Sequence, residues 1–509
     1  MKICIADILE STVSRFPNGL AIVMEDTSYT YKELNNRVNA LAWGLIDLGI
    51  EKGTLVACLL PNGVEIIETY FATAKIGAVL IPMNPNLKPA EIERLLMHSK
   101  CKVLIIDQAL HQTINVTSLS VLKQMTVIWV GNNPASINYY QLIESSPKLR
   151  VKSSFNGNDP STILYTSGTT GNPKGVVRTH ANNLWSAVSM TTYNNYLPED
   201  MELWQLPLFG IGFFTFFLPN VISGSTVYLP KGFDPENIFQ TIETYSITRM
   251  YLVPSLWRVL SNHPKVQYFN LSSLRVAMIG SAPVSLETKK AISKMFPSAE
   301  IYEFWGMTEG GLISILPKEA SDRPGSIGRP LPFHEATLID EHGMEVVTGN
   351  IGEIAIRGLA IITSYFNNQE KEYSPFTKDG WLRTGDLARR DNEGFFYLSG
   401  RKSDMIISGE NKIYPSEIER VIESHPKVHE AAVFAMEDPV LGEVPVAAVV
   451  LKDGDLISEQ DILDYLTLYL ANYKQPKHVF FPAKLPAIAP GKIVKALLKS
   501  DFLHAITGQ

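Results

Sequence analysis

One segment constrains the fold more than any other: a loop rich in glycine and hydroxyl side chains that follows a short apolar strand. Ser161-Thr162-Ile163-Leu164 predicts the strand, and the loop reads Tyr165-Thr166-Ser167-Gly168-Thr169-Thr170-Gly171-Asn172-Pro173-Lys174-Gly175. Glycines let backbone N–H groups approach an anion, hydroxyls add donors, and lysine supplies a mobile positive charge. The loop therefore predicts a phosphate-binding site. The alternative, a flexible linker, is disfavoured because linkers rarely follow a buried strand.

The spacing of this loop excludes one common phosphate-binding motif. A Walker-type P-loop needs the pattern G-x-x-x-x-G-K-[ST], which cannot be read across residues 168–175. The sequence therefore predicts nucleotide chemistry of a different kind, and it disfavours a phosphoryl-transferring kinase.

The length and composition of the chain predict a globular protein with more than one domain. A chain of 509 residues is too long for one hydrophobic core, so we expect at least two domains. With 45% hydrophobic and 19% charged residues, the composition is that of an ordinary soluble protein. A net charge of -7 argues against nucleic acid as a partner.

The sequence also argues against export and against a membrane anchor. Cys4, Cys58 and Cys101 lie far apart without metal-ligand spacing, so we expect free thiols in a reducing compartment. Charged side chains interrupt residues 1–16, unlike a signal peptide, and the apolar stretch over residues 211–222 is too short to span a bilayer. We predict a cytoplasmic protein without integral membrane association.

The first third of the chain alternates between helix-like and strand-like segments. The capping box Thr30-Tyr31-Lys32-Glu33 opens a helix, and apolar residues then recur at helical spacing up to Gly49. A second helix is predicted over residues 64–76, between apolar strands over residues 55–60, 78–82, 103–106 and 126–130. This alternation predicts an α/β domain whose parallel sheet carries helices on both faces.

Two later segments carry side chains suited to a nucleotide. A strand over residues 275–279 ends in Gly280-Ser281-Ala282-Pro283, and Glu303-Phe304-Trp305 follows one helix later. Glycine at position 280 lets a flat base approach the backbone, and the second segment supplies stacking surface and polar contacts. Thr308 is a donor for an α-phosphate, and Glu309 offers the hard oxygen that Mg²⁺ prefers. The alternative role for this pair is a helix cap.

A further motif supplies a carboxylate for a sugar. Thr384-Gly385-Asp386 precedes an aromatic strand at residues 394–398, and it predicts a tight turn. Such a turn presents one carboxylate to a vicinal diol, so Asp386 is the predicted ribose ligand. Arg401 follows this strand, and its role as a contact for ribose and phosphate is implied by the family resemblance described next.

Taken in order, these motifs resemble the signature sequences of the adenylate-forming superfamily, which contains acyl-CoA synthetases, peptide-synthetase adenylation domains and beetle luciferases. The resemblance covers essentially the whole chain. It implies the adenylate-forming enzyme fold, with a large, subdivided α/β N-terminal domain of sheets flanked by helices and a small, mobile α+β C-terminal domain. We place the N-terminal ATP- and acyl-binding domain at residues 1–400 and the C-terminal domain at residues 401–509.

Three sites in the C-terminal part follow from the same resemblance. Ser403 stands at the hinge, where family members usually have Asp or Lys. Ser408, Gly409 and Glu410 would face the coenzyme A tunnel after the small domain rotates. Lys492, within the closing motif Leu485–Lys495, corresponds to the family's catalytic lysine.

The apolar character of a second cluster suggests the acyl pocket. Phe213 and Phe214 follow a glycine turn, and together with Gly280 and Trp305 they predict a wall for a medium-chain fatty or aromatic acid. Core packing is the alternative role for the two phenylalanines. Gly210 stands where similar family members usually have histidine.

The function that the resemblance implies is an ATP-dependent carboxylic acid–CoA ligase. We expect it to form an acyl-AMP and then an acyl-CoA thioester, with ATP, Mg²⁺ and coenzyme A as cofactors. The expected ATP/AMP-binding residues are Thr166, Ser167, Gly168, Thr169, Thr170, Lys174, Gly280, Ser281, Ala282, Glu303, Phe304, Trp305, Thr308, Asp386, Arg401 and Lys492. Lys492, Thr308 and Glu309 are the expected catalytic residues.

Three alternatives to this function stay open at the level of sequence. The enzyme could load a carrier-protein phosphopantetheine in place of coenzyme A, or it could be an amino-acid adenylation domain. A catalytically inactive nucleotide-binding module is the alternative outside the enzymes. Against that module stand the retained Lys174, Thr308, Glu309, Asp386, Arg401 and Lys492, since a binding protein does not need a mobile catalytic lysine.

Overall fold

A computed structural model describes most of the chain. The described residues are 4–110, 120–131, 137–151, 155–166, 174–282, 284–320, 323–367, 375–409, 411–489 and 492–507. The helices are α1 (Ile5–Arg15), α2 (Tyr31–Asp47), α3 (Val64–Ile76), α4 (Pro89–Ser99), α5 (Tyr139–Ser145), α6 (His180–Tyr193), α7 (Leu218–Ser223), α8 (Pro235–Tyr245), α9 (Pro254–Ser261), α10 (Leu286–Met295), α11 (Pro415–Glu423), α12 (Glu459–Thr467) and α13 (Lys495–Thr507).

The strands fall into three large sheets and one small hairpin. In the first half of the chain they are β1 (Leu20–Val23), β2 (Ser28–Thr30), β3 (Leu55–Leu59), β4 (Val79–Pro82), β5 (Val103–Asp107), β6 (Thr126–Val130), β7 (Ile137–Asn138), β8 (Pro160–Thr166), β9 (Lys174–Thr179), β10 (Met201–Leu203), β11 (Thr226–Tyr228) and β12 (Arg249–Leu252). In the second half they are β13 (Val276–Gly280), β14 (Glu300–Met307), β15 (Gly311–Leu316), β16 (Ser326–Pro330), β17 (His334–Ile339), β18 (Ile351–Gly358), β19 (Tyr365–Phe366), β20 (Leu382–Arg390), β21 (Phe396–Arg401), β22 (Ile406–Ser408), β23 (Asn411–Ile413), β24 (Val428–Asp438), β25 (Gly442–Leu451), β26 (His478–Phe480), β27 (Ala487–Ala489) and β28 (Lys492–Ile493).

The predicted parallel sheet is present. Eight strands lie in the order β19-β9-β8-β4-β3-β5-β6-β7. The six from β8 to β7 run parallel, and β9 and β19 are antiparallel additions at one edge. The capping box holds as predicted, because the Thr30 hydroxyl accepts the Glu33 N–H at the start of α2. The alternation of helix-like and strand-like segments therefore predicted the parallel part of this eight-stranded sheet.

A second, larger sheet carries most of the predicted site. Its thirteen strands lie in the order β17-β18-β20-β21-β16-β15-β14-β13-β12-β10-β11-β1-β2. The strands between β1 and β14 are parallel neighbours, whereas those from β14 to β17 pair antiparallel. Parallel strands deliver their carboxyl ends to one edge of a sheet, which is where ligands bind in folds of this type.

The two described ends of the glycine-rich segment belong to the antiparallel hairpin of β8 and β9 rather than to a loop. Tyr165 and Thr166 belong to β8, while Lys174 and Gly175 begin β9, and the two strands pair antiparallel. The predicted loop boundaries were therefore too wide. The valines that follow Gly175 favour a strand, and they pair with the apolar residues of β8.

The C-terminal part has its own sheet and its own core. Strands β22 to β26 form a five-stranded sheet. The core beneath it includes Ile406 and Val433 of this sheet, Ile418 of α11 and Ile462 of α12. This agrees with the predicted α+β C-terminal unit. Helix α12 ends at Thr467, after which Leu468 is exposed and Pro476 disfavours further helix.

Candidate active site

Three of the predicted nucleotide residues, Gly280, Phe304 and Thr308, lie at or near the ends of neighbouring strands in the larger sheet. Gly280 ends β13 and pairs with Phe304 of β14. Thr308 and Glu309 form the turn between β14 and β15. The pair is therefore part of a hairpin and not a helix cap.

The Thr308-Glu309 turn is held from three sides. The guanidinium of Arg178, at the end of β9, donates to the carbonyl oxygen of Thr308 with 2.9 Å between Nη1 and O. The backbone N–H of Ile362 donates to the Glu309 carbonyl at 2.9 Å. The hydroxyl of Tyr365 donates to the Glu309 carboxylate, with 2.9 Å between Oη and Oε1. The turn is thus fixed before any ligand binds, as a site for developing charge requires.

Arg178 brings a buried positive charge to this turn. Its side chain is fully enclosed, and its other donors bind the Asn183 amide oxygen and the Asn182 carbonyl. Burial lowers the pKa of Arg178 to about 9, while the negative charge of Glu309 opposes that shift. The guanidinium therefore stays protonated at neutral pH and faces the carboxylate of the site.

Asp386 lies close to the turn, but its local structure differs from the predicted one. Residues Thr384, Gly385 and Asp386 form a bulge inside β20, opposite Ile354 alone in β18. Gly385 has φ +76°, a value that glycine adopts at little cost. The prediction of a tight turn was therefore wrong. A glycine with positive φ suits a bulge as well as a turn, so the sequence did not distinguish the two.

Both oxygens of the Asp386 carboxylate have partners. The indole Nε1–H of Trp305 donates to Oδ2 with 3.0 Å between the atoms, and Arg401 places its Nε 2.6 Å from Oδ1. Burial raises the pKa of Asp386, while Arg401 and Trp305 lower it. The structure thus brings together Trp305, Asp386 and Arg401, three residues that the sequence assigned to one nucleotide.

Close packing explains the glycine at position 280. A Cβ there would lie 2.7 Å from both the ring and the carbonyl oxygen of Phe304, so no larger residue fits without a shift of the strands. The next residue, Ser281, has φ +67°, which is unusual for a side chain other than glycine. Its hydroxyl lies 2.7 Å from the hydroxyl of buried Tyr251. Phe216 stacks on that Tyr251 ring, with 4.9 Å between centroids.

The side chain of Glu303 forms an ion pair outside the predicted nucleotide contacts. It is buried and paired with Lys289 of α10, with 2.5 Å between Nζ and Oε2. Side chains alternate along a strand, so Glu303 shares the face of Ile301, whereas Phe304 packs in the main core on the opposite face. Burial raises the pKa of Glu303, which Lys289 opposes. A contact of this carboxylate with ATP would require the ion pair to break.

Phe213 and Phe214 occupy the core instead of an open pocket wall. Both side chains are 0% exposed. The Phe213 ring stacks on Tyr70 of α3 with 3.9 Å between centroids, and Phe214 meets the same ring edge-on. Residues Phe213–Phe217 form a π-helical turn that leads into α7. The packing alternative for these two rings describes the structure better than the pocket wall does.

The glycine-rich hairpin reaches the same region through β19. Lys174 pairs with Thr166 at its end, and β19 adds to the free edge of β9 through Tyr365 and Phe366. Tyr365, whose hydroxyl binds Glu309, thereby connects the hairpin to the Thr308-Glu309 turn. The four other predicted loop residues, Ser167, Gly168, Thr169 and Thr170, lie outside the described residues.

The predicted C-terminal residues lie on other elements. Ser403 is in a short 3₁₀ turn over Lys402–Asp404. Ser408 pairs with Asn411 and Gly442, and Gly409 donates its N–H to Leu441 at 2.8 Å. Lys492 begins β28, which pairs with β27. Glu410 and the side chain of Lys492 lie outside the described part. Among the described residues, no hydrogen bond or ion pair joins Ser408 or Gly409 to Thr308 or Asp386.

Glu309 has the chemistry of a Mg²⁺ ligand. Mg²⁺ is usually held by one or two carboxylates together with substrate phosphates, and a half-buried carboxylate oriented by Tyr365 fits that description. Within the described ranges there is no group of three or more His, Cys, Asp or Glu side chains that could hold a metal ion on its own.

Several residues of this region were missed at the level of sequence. Arg178 and Tyr365 hold the turn, Tyr251 and Phe216 lie beside Ser281, and Glu353 of β18 binds the bulge under Asp386. A charged residue inside an apolar strand, as in Val176-Val177-Arg178 or Gly352-Glu353-Ile354, was the available signal. A charge at a position that should be buried calls for a polar partner.

Comparison with known proteins gives the family. A family model described as "AMP-binding enzyme" matches residues 9–366, and one described as "AMP-binding enzyme C-terminal domain" matches residues 417–492. The chain belongs to the AMP-binding enzyme family. The resemblance to adenylate-forming enzymes is thereby confirmed. Among the described residues, none of the helices of this family member combines the length and the apolar character needed to cross a bilayer.

Named relatives in this family are acid–CoA ligases. The chain is 33% identical over 491 residues to a feruloyl-CoA synthase of an Amycolatopsis species, which covers 96% of each protein. It is 34% identical over 485 residues to the indoleacetate–CoA ligase of Aromatoleum aromaticum, covering 94% of each. It is also 32% identical over 482 residues to a long-chain-fatty-acid–CoA ligase of Mycobacterium tuberculosis, again covering 94% of each.

Solved structures confirm the predicted adenylate-forming fold. ATP-bound MatB from Rhodopseudomonas palustris aligns with a TM-score of 0.90 at 28% identity, covering 98% of this chain and 99% of that one. The apo form of MatB aligns with a TM-score of 0.81 at the same identity and coverage. The arrangement of the chain is therefore closer to that of the ATP-bound relative.

Proposed function

We propose that the protein is an AMP-forming acid–CoA ligase that converts a carboxylic acid, ATP and coenzyme A into an acyl-CoA, AMP and pyrophosphate. The observation that supports the proposal is that Trp305, Asp386 and Arg401 bind one another close to the Thr308-Glu309 turn. This assembly occurs in a chain whose full-length relatives are named acid–CoA ligases.

The first half-reaction follows from the chemistry of the carboxylate. A carboxylate is a poor electrophile at neutral pH, so it must first gain a good leaving group. One carboxylate oxygen attacks the α-phosphorus of ATP, which forms acyl-AMP and releases pyrophosphate. Asp386 and Arg401 bind the ribose, and Thr308 donates to the α-phosphate. The backbone of the Thr308-Glu309 turn keeps its position because Arg178 and Ile362 bind its two carbonyls.

Two charges assist this step. We assign to Lys492 the role of bridging carboxylate and phosphate oxygens as negative charge develops between them. Bound Mg²⁺, held by Glu309 together with substrate phosphates, would offset the negative charge of ATP. Lys174 and the glycine-rich hairpin bind the terminal phosphates in this proposal, which the position of β19 beside Glu309 supports.

The second half-reaction requires a different arrangement of the C-terminal part. We assign residues 401–509 to a mobile domain that rotates at Ser403, withdraws Lys492 and brings Ser408, Gly409 and Glu410 to the site. The thiol of coenzyme A then attacks the acyl carbon, and AMP leaves with the former carboxylate oxygen. Ser403 is exposed in a short 3₁₀ turn, which suits a rotation point.

We propose an aromatic or medium-chain fatty acid as the substrate. Phe216, Tyr251 and Phe304 contact one another beside Gly280 and Ser281, so an acid bound there would meet aromatic rings. The relatives act, by their names, on ferulate, indoleacetate and long-chain fatty acids. In this proposal, the acid is selected by Phe216 and Tyr251, which lie near Ser281, and by Trp305.

A panel of acids tests the proposal. Purified protein is incubated with ATP, Mg²⁺ and aromatic, fatty or amino acids, each with and without coenzyme A, and AMP and pyrophosphate are measured. We expect AMP release that depends on coenzyme A with one apolar class of acid. Pyrophosphate release that coenzyme A leaves unchanged would instead indicate the loading of a carrier protein. An absence of turnover with every acid, in a protein that still binds AMP, would contradict a ligase function.

A further inference from the structure

We propose that Glu353 is a positioning residue that fixes, through one buried carboxylate, both the ribose-binding Asp386 and the last residue before the rotation point. The proposal rests on the proposed function for the roles of Asp386 and Ser403. It goes beyond that function because Glu353 touches no reacting group itself. It acts through Arg383 and Gly385 of β20 and through Lys402, which follows β21.

Three donors converge on the Glu353 carboxylate. The backbone N–H of Gly385 binds Oε1 at 3.1 Å, and the guanidinium of Arg383 binds Oε2 at 3.0 Å. The ammonium of Lys402 also binds Oε2, at 3.0 Å. The Glu353 side chain is 4% exposed, so these contacts are shielded from water. A buried carboxylate with this set of partners has a fixed orientation.

The bond to Gly385 sets the direction of Asp386. Gly385 is the bulge residue with positive φ, directly before Asp386 in β20. The hydroxyl of Thr384 completes the bulge, since it donates to the Ile354 carbonyl at 2.8 Å and accepts the Asp386 N–H at 3.1 Å. Glu353 thus holds the backbone that aims the Asp386 carboxylate at Trp305 and Arg401.

The bond to Lys402 fixes the chain next to the rotation point. Lys402 directly precedes Ser403 and is 46% exposed, whereas its partner Glu353 is buried. On the other side of Ser403, the Asp404 carboxylate lies 4.0 Å from the ammonium of Lys495, which also binds Glu419 of α11. Lys402 therefore belongs to the large sheet and Asp404 to the C-terminal part, with Ser403 between them.

The two cations on Oε2 are not equivalent. Arg383 is mostly enclosed, and it also binds the Asp340 and Glu341 carbonyls, so it stays with Glu353. Lys402 is half exposed, so its ion pair with Glu353 can break. The buried Glu353 carboxylate would not be left unpaired, because Arg383 still neutralises it. Glu353 thus keeps its hydrogen bonds to Arg383 and to Gly385 of the bulge, whereas its ion pair with Lys402 beside the hinge can break.

Glu353→Gln tests the hold on the bulge. The amide oxygen can still accept the Gly385 N–H, but its NH₂ group faces two cations that need an acceptor. We expect the Kd for AMP, measured by isothermal titration calorimetry, and the KM for ATP in pyrophosphate exchange to rise about tenfold. At saturating ATP, the exchange rate should stay within about threefold of the wild type. A merely structural role would lower the Tm without this split between KM and kcat.

Glu335→Gln is the matched control. Glu335 also pairs with an arginine across strands of the same sheet, but both side chains are exposed. An exposed pair of this kind contributes little to stability or to the shape of a distant site. We expect the AMP affinity of this variant to equal that of the wild type. An equal loss of AMP affinity in both variants would contradict a specific role for Glu353.

Lys402→Met tests the hold on the hinge. The AMP affinity should stay within about twofold of the wild type, because Arg383 and Gly385 keep the carboxylate in place. The ratio of thioester formation from supplied acyl-AMP to adenylation should rise about threefold, since the arrangement similar to the ATP-bound relative loses one ion pair. An unchanged ratio, or a tenfold loss of AMP affinity, would overturn the assignment of Lys402 to the hinge.

The calorimetric measurement separates this inference from the proposed function. AMP binding requires Asp386 but no turnover, so the Glu353→Gln result stands even if every acid fails as a substrate. A wild type that binds AMP and turns over no acid would refute the ligase proposal alone. Wild-type AMP affinity in Glu353→Gln would refute the positioning role, whatever the activity.

Discussion

Replacement of Trp305 by phenylalanine isolates one hydrogen bond at the proposed ribose site. Phenylalanine keeps an aromatic ring on β14 and removes the indole N–H, which lies 3.0 Å from Oδ2 of Asp386. A carboxylate oxygen has room for more than one donor, so the indole and a ribose hydroxyl can share it. We therefore expect the indole to orient the carboxylate for the nucleotide.

The size of the effect follows from the burial of the pair. A hydrogen bond to a charged group contributes about 1.5–3 kcal/mol. Arg401 still holds the other oxygen after the substitution, so the lower end applies. Since about 1.4 kcal/mol corresponds to a tenfold change in Kd, the Trp305→Phe variant should bind AMP about tenfold more weakly.

The same substitution changes the pH dependence of AMP binding in a defined direction. Burial raises the pKa of Asp386, and the indole donor lowers it, so removal of the donor raises the pKa further. Ribose hydroxyls donate to the ionised carboxylate, so affinity is complete above this pKa and is lost as the pH falls through it. In Trp305→Phe the loss should begin at a higher pH than in the wild type.

Calorimetric titration with AMP between about pH 5 and pH 8 measures both effects. Trp43→Phe is the control, because the Trp43 indole also makes one hydrogen bond, to the Leu149 carbonyl at 2.9 Å, on a different part of the molecule. It should leave AMP binding unchanged. Unchanged or tighter binding in Trp305→Phe would refute the reasoning, since it would mean that the indole competes with the ribose.

Lys492→Ala should slow adenylation about 100-fold and leave thioester formation from supplied acyl-AMP largely intact, measured as two partial reactions; equal losses would refute this division of labour. Tyr365→Phe removes a donor to Glu309 and should raise the half-saturating Mg²⁺ concentration in pyrophosphate exchange about threefold. Phe213→Leu loses the stack on Tyr70 and should lower the free energy of unfolding by about 1 kcal/mol in a denaturant titration. A changed preference among acids in that variant would restore the pocket-wall role.

Much of the fold could be predicted because its signals are local. The Thr30 capping box and the apolar strands of the parallel sheet depend on residues a few positions apart, and the structure places them within one or two residues of the expected bounds. The order of the nucleotide motifs along the chain likewise predicted that Trp305 and Asp386 serve one site. These two side chains are hydrogen-bonded although 81 residues separate them.

The remaining features depend on partners distant in sequence. From the sequence, Glu303 is expected to contact a nucleotide. The structure shows that its side chain is instead paired with Lys289, which the sequence of β14 alone does not indicate. The sequence is consistent with Phe213 either in a pocket wall or in the core. The stack of its ring on Tyr70 of α3 favours the core. The charge of Glu353 inside an apolar strand indicates a need for polar partners, but it does not reveal that Arg383 and Gly385 of β20 and Lys402 after β21 are those partners.

The central claim is that the carboxylate oxygen of the acid bonds to the α-phosphorus of ATP before the thiol attacks. The most direct test uses an accepted acid labelled with ¹⁸O in both carboxylate oxygens, followed by mass spectrometry of the products after reaction with ATP and coenzyme A. The account predicts one ¹⁸O atom in AMP, one in the acyl-CoA carbonyl, and none in pyrophosphate. Unlabelled AMP, or label in inorganic phosphate together with ADP, would contradict an acyl-AMP intermediate.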